Sequence, residues 1–151
     1  MIWMKCHMCK SANLEKFLDL GFHPHSDSFL TGEELGQPET RYPLSALQCK
    51  DCGLVQLSYM VDGATLYQKN YLYEASITQT GKAHYFGLSD LVCKRFAIPK
   101  GSLVVDIGSN VGVLLQGFKN QGMQVLGVDP APNIAAIANS NGIETVPDFF
   151  T

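Results

Sequence analysis

The chain has 151 residues, 46% of them hydrophobic and 17% charged, with a formal net charge of -3. This composition is typical of a folded protein, and because no basic run exceeds the two residues Lys94-Arg95, it argues against nucleic-acid binding. No apolar stretch approaches the roughly 18 residues of a membrane span and no apolar signal segment is evident, so we expect a cytoplasmic protein without a membrane partner.

Four of the five cysteines lie in the first 57 residues, in two Cys-x-x-Cys pairs. Cys6 and Cys9 form the first pair, and Cys49 and Cys52 form the second after 39 intervening residues. Two residues between thiolates let one turn direct both sulfurs at one metal ion, and two such turns complete a tetrahedral site. Gly53 suits such a turn, because glycine readily adopts the left-handed conformation. The spacing predicts a structural zinc site with no open catalytic position.

Disulfides and buried free thiols are the alternatives for these cysteines. Disulfides are disfavoured without a secretory signal, and a redox pair would not need a second Cys-x-x-Cys. His7 or His23 would be a ligand only in place of one sulfur, and Cys93 is expected to be a small core residue. A segment of about 57 residues buries little surface, so we expect metal binding to supply its folding free energy.

Strand signals are weak around the cysteines. Residues 14–20 alternate poorly and fit a short strand or a turn, whereas residues 54–57 are apolar, follow a Cys-Gly turn and predict a strand. Residues 58–76 are predicted to be a connector rich in tyrosine. We therefore divide the chain into a zinc-binding domain over 1–57, this connector, and a second domain over 77–151.

The second domain alternates helix and strand patterns, which predicts an α/β fold with a parallel sheet. Helical spacing predicts a first helix over 78–96, capped by Thr78 or Ser76 and followed by Pro99. Asn141-Gly142 is expected to end the last helix. After the first helix the patterns predict a strand at 103–107, a helix at about 112–121 and a strand at 124–128. The last helix covers about 132–140, and a short strand follows it at 143–146.

The ends of the two main predicted strands carry half of a nucleotide-type site. Ligands of open parallel sheets bind outside the carboxyl ends of the strands, where Asp106 and Asp129 fall. Gly108 permits close backbone approach, and the amides of residues 109–112 open a helix that favours electron-rich groups. Asp129 lies 21 residues after Gly108, where a carboxylate can accept hydrogen bonds from ribose hydroxyls.

A dinucleotide site of an oxidoreductase is the competing interpretation. Its G-x-G-x-x-G fingerprint is absent, because Asn110 stands two positions after Gly108. Asp106 would repel a diphosphate, whereas it suits a cationic ligand such as S-adenosylmethionine, which carries an ammonium and a sulfonium. The electrostatics favour S-adenosylmethionine over NAD, although such half-sites also occur in α/β proteins without a cofactor.

Several segments match one family in chain order: the Cys-x-x-Cys pairs, residues 18–21 (LDLG), 49–57 (CKDCGLVQL), 71–73 (YLY), 105–110 (VDIGSN) and 127–131 (GVDPA). They resemble the N-terminal part of S-adenosylmethionine-dependent C-methyltransferases that act on nucleotide-linked deoxysugars. The resemblance implies a small zinc-ribbon-like domain, then a Rossmann-like class I methyltransferase sheet with flanking helices, truncated in this chain, and a further C-terminal domain.

In that family a base removes the proton beside a keto group of the sugar, and the carbon then takes the methyl group. The resemblance implies that Tyr73 is an active-site tyrosine, with ordinary packing as the alternative. The family's histidine base has no counterpart here, and His84 does not take that role. The implied cofactor-binding residues are Asp106, Gly108, Ser109, Asn110, Asp129 and Pro130.

Two positions depart from the family pattern, Val111 in place of an acid and Val113 in place of a threonine. Loss of the acid is expected to weaken a polar contact to the methionine end of the cofactor. The alternative function, from a different class, is a non-catalytic zinc-ribbon binding module with a vestigial nucleotide-binding half-domain.

Apolar strand residues are fully buried only when a parallel sheet is covered on both faces. We therefore expect the isolated chain to be an inactive fragment that self-associates through exposed strands, with a nucleotide-linked sugar as substrate only of the full-length enzyme. The residues expected to remain partly exposed are Leu103, Val105, Ile107, Val125 and Val128.

Overall fold

The computed structural model describes residues 5–69, 71–75 and 77–151. The chain divides into two compact units, with the boundary between Leu66 and Tyr67, inside the segment predicted as a connector. Ser76, the alternative helix cap, lies outside the described residues. No helix within the described ranges combines the length and apolarity needed to cross a membrane.

A three-stranded antiparallel sheet forms the first unit, in the order β1 (Leu14–His23), β2 (Tyr42–Cys49) and β3 (Val55–Leu57). Strand β3 confirms the strand predicted at 54–57, and the ambiguous segment 14–20 belongs to a strand. The register of β1 against β2 shifts between Lys16 and Leu18 and again between Asp19 and Phe22. Such bulges change the face that successive side chains occupy, which explains the poor alternation of the sequence.

Few side chains of the first unit are buried. Among its described residues the buried ones are Cys6, Ser45 and Cys49, while Phe17 and Phe22 of β1 are 58% and 65% exposed. A sheet with so little buried apolar surface needs another source of stability, since small domains bury too small a fraction of their surface. A short helix, α1 (Gly63–Tyr67), follows β3.

The second unit contains a parallel sheet, in the order β4-β5-β6, and three helices. Thr78 is the observed cap of the first helix, its side chain accepting from the Gly81 amide at 3.0 Å. Every element predicted after residue 77 is confirmed within a few residues. The elements are α2 (Gln79–Phe96), β4 (Leu103–Ile107), α3 (Val113–Asn120), β5 (Gln124–Val128), α4 (Pro132–Ser140) and β6 (Thr145–Val146).

Two hydrophobic clusters join the helices to the sheet of the second unit. In the first, Leu115 of α3, Ala138 of α4 and Ile143 are buried against Val104 and Val125. The second lies at the carboxyl end of the sheet and consists of Val111, Ala131 and Ile134, packed against Tyr71 and Ile137. One face of the sheet is therefore covered, and the second cluster fixes the loops that follow β4 and β5.

The opposite face of the sheet is open along β4. Leu103, Val105 and Ile107 are 60%, 45% and 58% exposed, as expected, and Val125 is half-buried. The expectation is wrong for Val128, which is buried. Its strand is the central one, so Val128 is flanked by Ile107 of β4 and Val146 of β6.

Candidate functional site

The four cysteines of the Cys-x-x-Cys pairs converge in the first unit. Their sulfur atoms all lie within 4.8 Å of one another, and the pairs Cys6–Cys52 and Cys9–Cys49 are each separated by 3.5 Å. A tetrahedron with zinc–sulfur bonds of about 2.3 Å has sulfur–sulfur edges of about 3.8 Å, whereas a disulfide requires about 2.05 Å. The cluster therefore has the dimensions of a four-sulfur metal site, and all four cysteines are free thiols.

The two Cys-x-x-Cys turns have the same backbone design. In each, the amide four residues after the first cysteine donates to the carbonyl of that cysteine: Lys10 to Cys6 at 3.0 Å and Gly53 to Cys49 at 2.9 Å. Lys10 and Gly53 both have positive φ, 63° and 79°. The prediction for Gly53 is confirmed, and Lys10 is its structural equivalent. The positive φ of Lys10 was not predicted from the sequence, because lysine rarely adopts this conformation.

Backbone amides point at the sulfurs and change their acidity. The amide of Cys9 is the main cause that lowers the pKa of Cys6 to about 7. The amide of Ser11 also pulls down the pKa of Cys9, but burial and the neighbouring thiols raise that pKa to about 12. One thiol thus ionises more readily than its neighbour, because the neighbouring thiols hydrogen-bond to it. A divalent cation bound between the sulfurs would deprotonate the thiols that coordinate it.

Side chains outside the cysteines fasten the two turns together. Asp51 accepts from the Ser11 hydroxyl and, at 2.8 Å, from the side-chain nitrogen of Asn13, and these hydrogen bonds lower the pKa of Asp51. The Gln56 side chain accepts from the His7 amide at 3.0 Å. Neither His7 nor His23 joins the cysteines in the metal-ligating group found among the described residues. Cys93 is half-buried in α2.

Asp106 and Asp129 come together at the carboxyl ends of β4 and β5. Asp106 pairs with Gly127 across the sheet, so Asp129, two residues later, shares its face. Burial raises the pKa of Asp106, and the negative charge of Asp129 raises it further. Proximity of two carboxylates at this edge favours a cationic partner and disfavours an anionic one.

Asp129 is buried, and its two oxygens organise the surrounding loops. Oδ2 accepts from the Asn110 amide at 2.8 Å, and Oδ1 accepts from the Ala131 amide at 2.9 Å. Pro130, which lies between Asp129 and Ala131 in the chain, is half-buried and carries no backbone N–H. A carboxylate has about four lone-pair sites, so two acceptor positions remain on Asp129.

Gly108 and Ser109 differ in what surrounds them. Gly108 has a φ of 78°, and a Cβ there would meet nothing within 4 Å, so the backbone of this turn is open on that side. Ser109 is buried, and its hydroxyl has no hydrogen-bond partner among the described residues. It lies over Gly127, where a Cβ would approach the Ser109 Oγ to 2.5 Å. Its side chain thus packs against the sheet.

Asn110 and Asn133 hold the segment 71–75, which we call the strap. The Asn110 side chain donates to the Tyr73 carbonyl at 2.9 Å and accepts from the Ala75 amide at 2.8 Å. Asn133, in the first turn of α4, donates to the Tyr71 carbonyl at 2.7 Å. The strap therefore lies across the loops that follow β4 and β5.

The rings of the strap have different environments. Tyr71 packs on the cluster that contains Val111, and its ring lies edge-on to that of Tyr73 at 6.5 Å. Tyr73 is 52% exposed. Val111, which replaces the family acid, is buried in this apolar cluster. Asn133 and Tyr71 were missed as site residues, because their contacts join positions 62 residues apart.

Comparison with known proteins agrees with this arrangement. Residues 6–67 match a methyltransferase family described as "Putative zinc binding domain". The chain is also 35% identical over 147 residues to the C-methyltransferase NovU of Streptomyces niveus. That similarity covers 97% of the chain but 35% of NovU, so the chain spans about a third of the length of this curated relative. The family match and this relative confirm the resemblance drawn from the motifs, which is to C-methyltransferases that carry a zinc-binding domain.

Proposed function

We propose that this chain is the N-terminal portion of an S-adenosylmethionine-dependent enzyme that methylates a carbon of a nucleotide-linked keto-deoxysugar. In this proposal the first unit binds structural zinc, and the second is the beginning of a Rossmann-like class I methyltransferase domain. The chain alone is catalytically inactive, since the family's base has no counterpart in it. The match to a methyltransferase family and the similarity to a C-methyltransferase support the reaction class.

The donor set supports zinc as the metal. Four sulfurs that all lie within 4.8 Å of one another, two pairs of them at 3.5 Å, match the size of a tetrahedral thiolate site, and soft thiolates select metals of this kind. Cys6, Cys9, Cys49 and Cys52 would occupy all four positions, which leaves none for a substrate or water. The metal would therefore stabilise the first unit and take no part in methyl transfer.

The observation that carries the methyl-donor site is the pair of carboxylates at neighbouring strand ends. Asp106 is half-buried, and Asp129 is near enough to raise its pKa. A ligand with positive charge would relieve this repulsion, whereas a diphosphate would add to it. Asp129 retains two acceptor positions for the ribose hydroxyls, and the open side of Gly108 leaves room for a ligand against the backbone.

The residues present thus fit S-adenosylmethionine, which when bound supplies an electrophilic methyl group on a sulfonium. Asp129 would orient the ribose and Asp106 would face the positive charge. Tyr73, half-exposed on the strap, would border the space where the sugar carbon approaches. Correct placement of the two reactants can account for a large part of the rate of such a transfer.

Isothermal titration calorimetry tests this proposal on the chain as it stands. S-Adenosylhomocysteine, the demethylated product, should bind to the zinc-loaded protein, and NAD should not. Asp129→Asn should weaken binding by about tenfold or more, because a charged hydrogen bond contributes about 1.5–3 kcal/mol. Asp148→Asn, at an exposed position, is the matched control and should leave the affinity unchanged.

Binding of NAD but not of S-adenosylhomocysteine would favour the oxidoreductase interpretation. Absence of binding of either ligand to folded, zinc-loaded protein would support the non-catalytic binding module. Equal loss of affinity in Asp129→Asn and Asp148→Asn would show that the effect is one of net charge and would contradict the assigned site.

A further inference from the structure

The strap has three polar contacts to the rest of the second unit that involve its backbone. The carbonyls of Tyr71 and Tyr73 and the amide of Ala75 each bond to an asparagine side chain. The two asparagines thus hold the strap at three backbone positions.

Asn110 is the centre of this network. Its side-chain oxygen accepts from the amides of Ala75 and Val111 at 2.8 and 2.9 Å, and its side-chain nitrogen donates to the Tyr73 carbonyl. Its own amide donates to Asp129 at 2.8 Å. Asn110 has a φ of 51°, a conformation that asparagine tolerates better than most residues. One residue therefore connects the proposed ribose-binding carboxylate with the backbone of Tyr73.

These bonds use most of the hydrogen-bonding capacity of the Asn110 side-chain amide. Its oxygen accepts two bonds and one of its two N–H groups donates to the Tyr73 carbonyl, so a direct contact to a methyl donor is limited to the second N–H. Asn133 adds a second attachment, and Tyr71 anchors its ring in the cluster of Val111, Ala131 and Ile134. Tyr73 is left as the strap tyrosine that is half-exposed.

We propose that Asn110 and Asn133 are positioning residues: they clamp the strap across the carboxyl end of the sheet and so present the Tyr73 ring to the methyl-donor site. The inference rests on the proposed function for the identity of the ligand. In this proposal Asn110 holds Tyr73 and is not itself a cofactor ligand. Ligand binding beside Asp129 is then expected to change the environment of Tyr73 through Asn110.

The clamp is tested by Asn110→Gly and Asn133→Ala in the zinc-loaded chain. Glycine accepts the left-handed backbone and keeps the amide that donates to Asp129, so the variant removes the side-chain bonds alone. Asn120→Ala is the matched control, because it removes an exposed asparagine that bonds to Gln116 within α3. Circular dichroism should show that all three variants are folded.

Two readouts separate the clamp from the proposed function. Without ligand, hydrogen exchange at the Ala75 amide should be slow in wild type and in Asn120→Ala, and fast in Asn110→Gly. With the tyrosines replaced by 3-fluorotyrosine, and Tyr73→Phe used for assignment, S-adenosylhomocysteine should shift the Tyr73 fluorine resonance in wild type. That shift, measured at saturating ligand, should be lost in Asn110→Gly and reduced in Asn133→Ala.

Unchanged exchange at Ala75 in Asn110→Gly would overturn the clamp. So would a Tyr73 response that persists in that variant, or loss of ligand binding in Asn110→Gly with the Ala75 amide still protected, which would make Asn110 a direct ligand. Failure of S-adenosylhomocysteine to bind to wild type would overturn the proposed function and the presentation of Tyr73 to that ligand. The exchange at Ala75 would still decide whether Asn110 holds the strap.

Discussion

The two units of this chain rely on different sources of stability. In the described part of the first unit, two of the three buried residues are cysteines of the cluster, and aromatic side chains such as Phe22 and Phe29 are mostly exposed. The second unit buries aliphatic side chains from two helices and from the segment before β6, among them Leu115, Ile134 and Ile143. The comparison indicates that metal ligation replaces a hydrophobic core in the first unit.

The largest expected effect is the loss of the first unit when zinc is removed. Structural zinc contributes about 10–16 kcal/mol in small zinc domains, which exceeds the usual stability of a domain of about 5–15 kcal/mol. A chelator should therefore unfold residues 5–66 and leave the second unit folded. Two-dimensional NMR of the amides would follow both units in one sample.

Matched serine variants sharpen that experiment. Cys49→Ser removes one buried ligand of the cluster and should reproduce the effect of the chelator, whereas Cys93→Ser should retain zinc and both sets of resonances. If the resonances of residues 5–66 keep their dispersion after zinc is stripped, the first unit is not stabilised by the metal.

A substitution in the hydrophobic core should destabilise the second unit and leave the first unit unaffected. Leu115 is fully buried, and Leu115→Ala should lower the free energy of unfolding of the second unit by about 2–5 kcal/mol. Zinc content, measured by mass spectrometry, should not change. Leu91→Ala, at a position 59% exposed on α2, should cost about 0.5 kcal/mol or less. Loss of zinc from Leu115→Ala would show that the units are not independent in stability.

Replacement of Asp106 should raise the free energy of unfolding of the second unit, because its carboxylate is destabilising in the absence of a ligand. Its raised pKa means that the folded state retains a proton after the unfolded state has lost it, so the carboxyl lowers stability as the pH rises above its ordinary pKa of about 3.9. Asp106→Asn should therefore stabilise the ligand-free second unit at neutral pH. The gain should disappear below about pH 4, where the carboxyl is protonated in both states. Urea unfolding at the two pH values measures this, and a pH-independent gain would contradict it.

The smallest effect is expected at the surface of the first unit. Lys16 and Asp19 form an ion pair in which both side chains are about half exposed, so Lys16→Met should change stability by about 0–1 kcal/mol. Thermal unfolding of the zinc-loaded protein would test it. A loss as large as that in Leu115→Ala would mean that polar surface contacts, and not the metal, hold the first unit together.

The sequence predicted the second unit better than the first, for physical reasons. Parallel strands and their helices have long, regular apolar patterns, so β4, α3, β5 and α4 could be placed from their periods alone. Strand β2 was not predicted, because its apolar residues are interrupted by Pro43, Ser45 and Gln48. Strand β1 has two register shifts, and α1 has five residues, so neither has a clear period.

The candidate site divides in a similar way. The cysteine cluster could be predicted because its geometry depends on two local turns of fixed spacing. The position of Asp106 and Asp129 followed from the rule that strand ends share one edge of a sheet. The roles of Asn110, Asn133 and Val111 depend on where the strap lies, which no local pattern indicates. Val111 in particular belongs to the cluster on which Tyr71 packs, and Tyr71 lies 40 positions earlier in the chain.

We propose that the sheet edge of the second unit binds an adenosyl amino acid and that the first unit, which we expect zinc to stabilise, does not. Amide chemical-shift mapping of the zinc-loaded chain during titration with S-adenosylhomocysteine is the decisive measurement. We expect shifts at residues 108–112 and 129–131 and along the strap, with the cysteine turns unaffected. Shifts confined to residues 5–66, or none anywhere at saturating ligand, would contradict it.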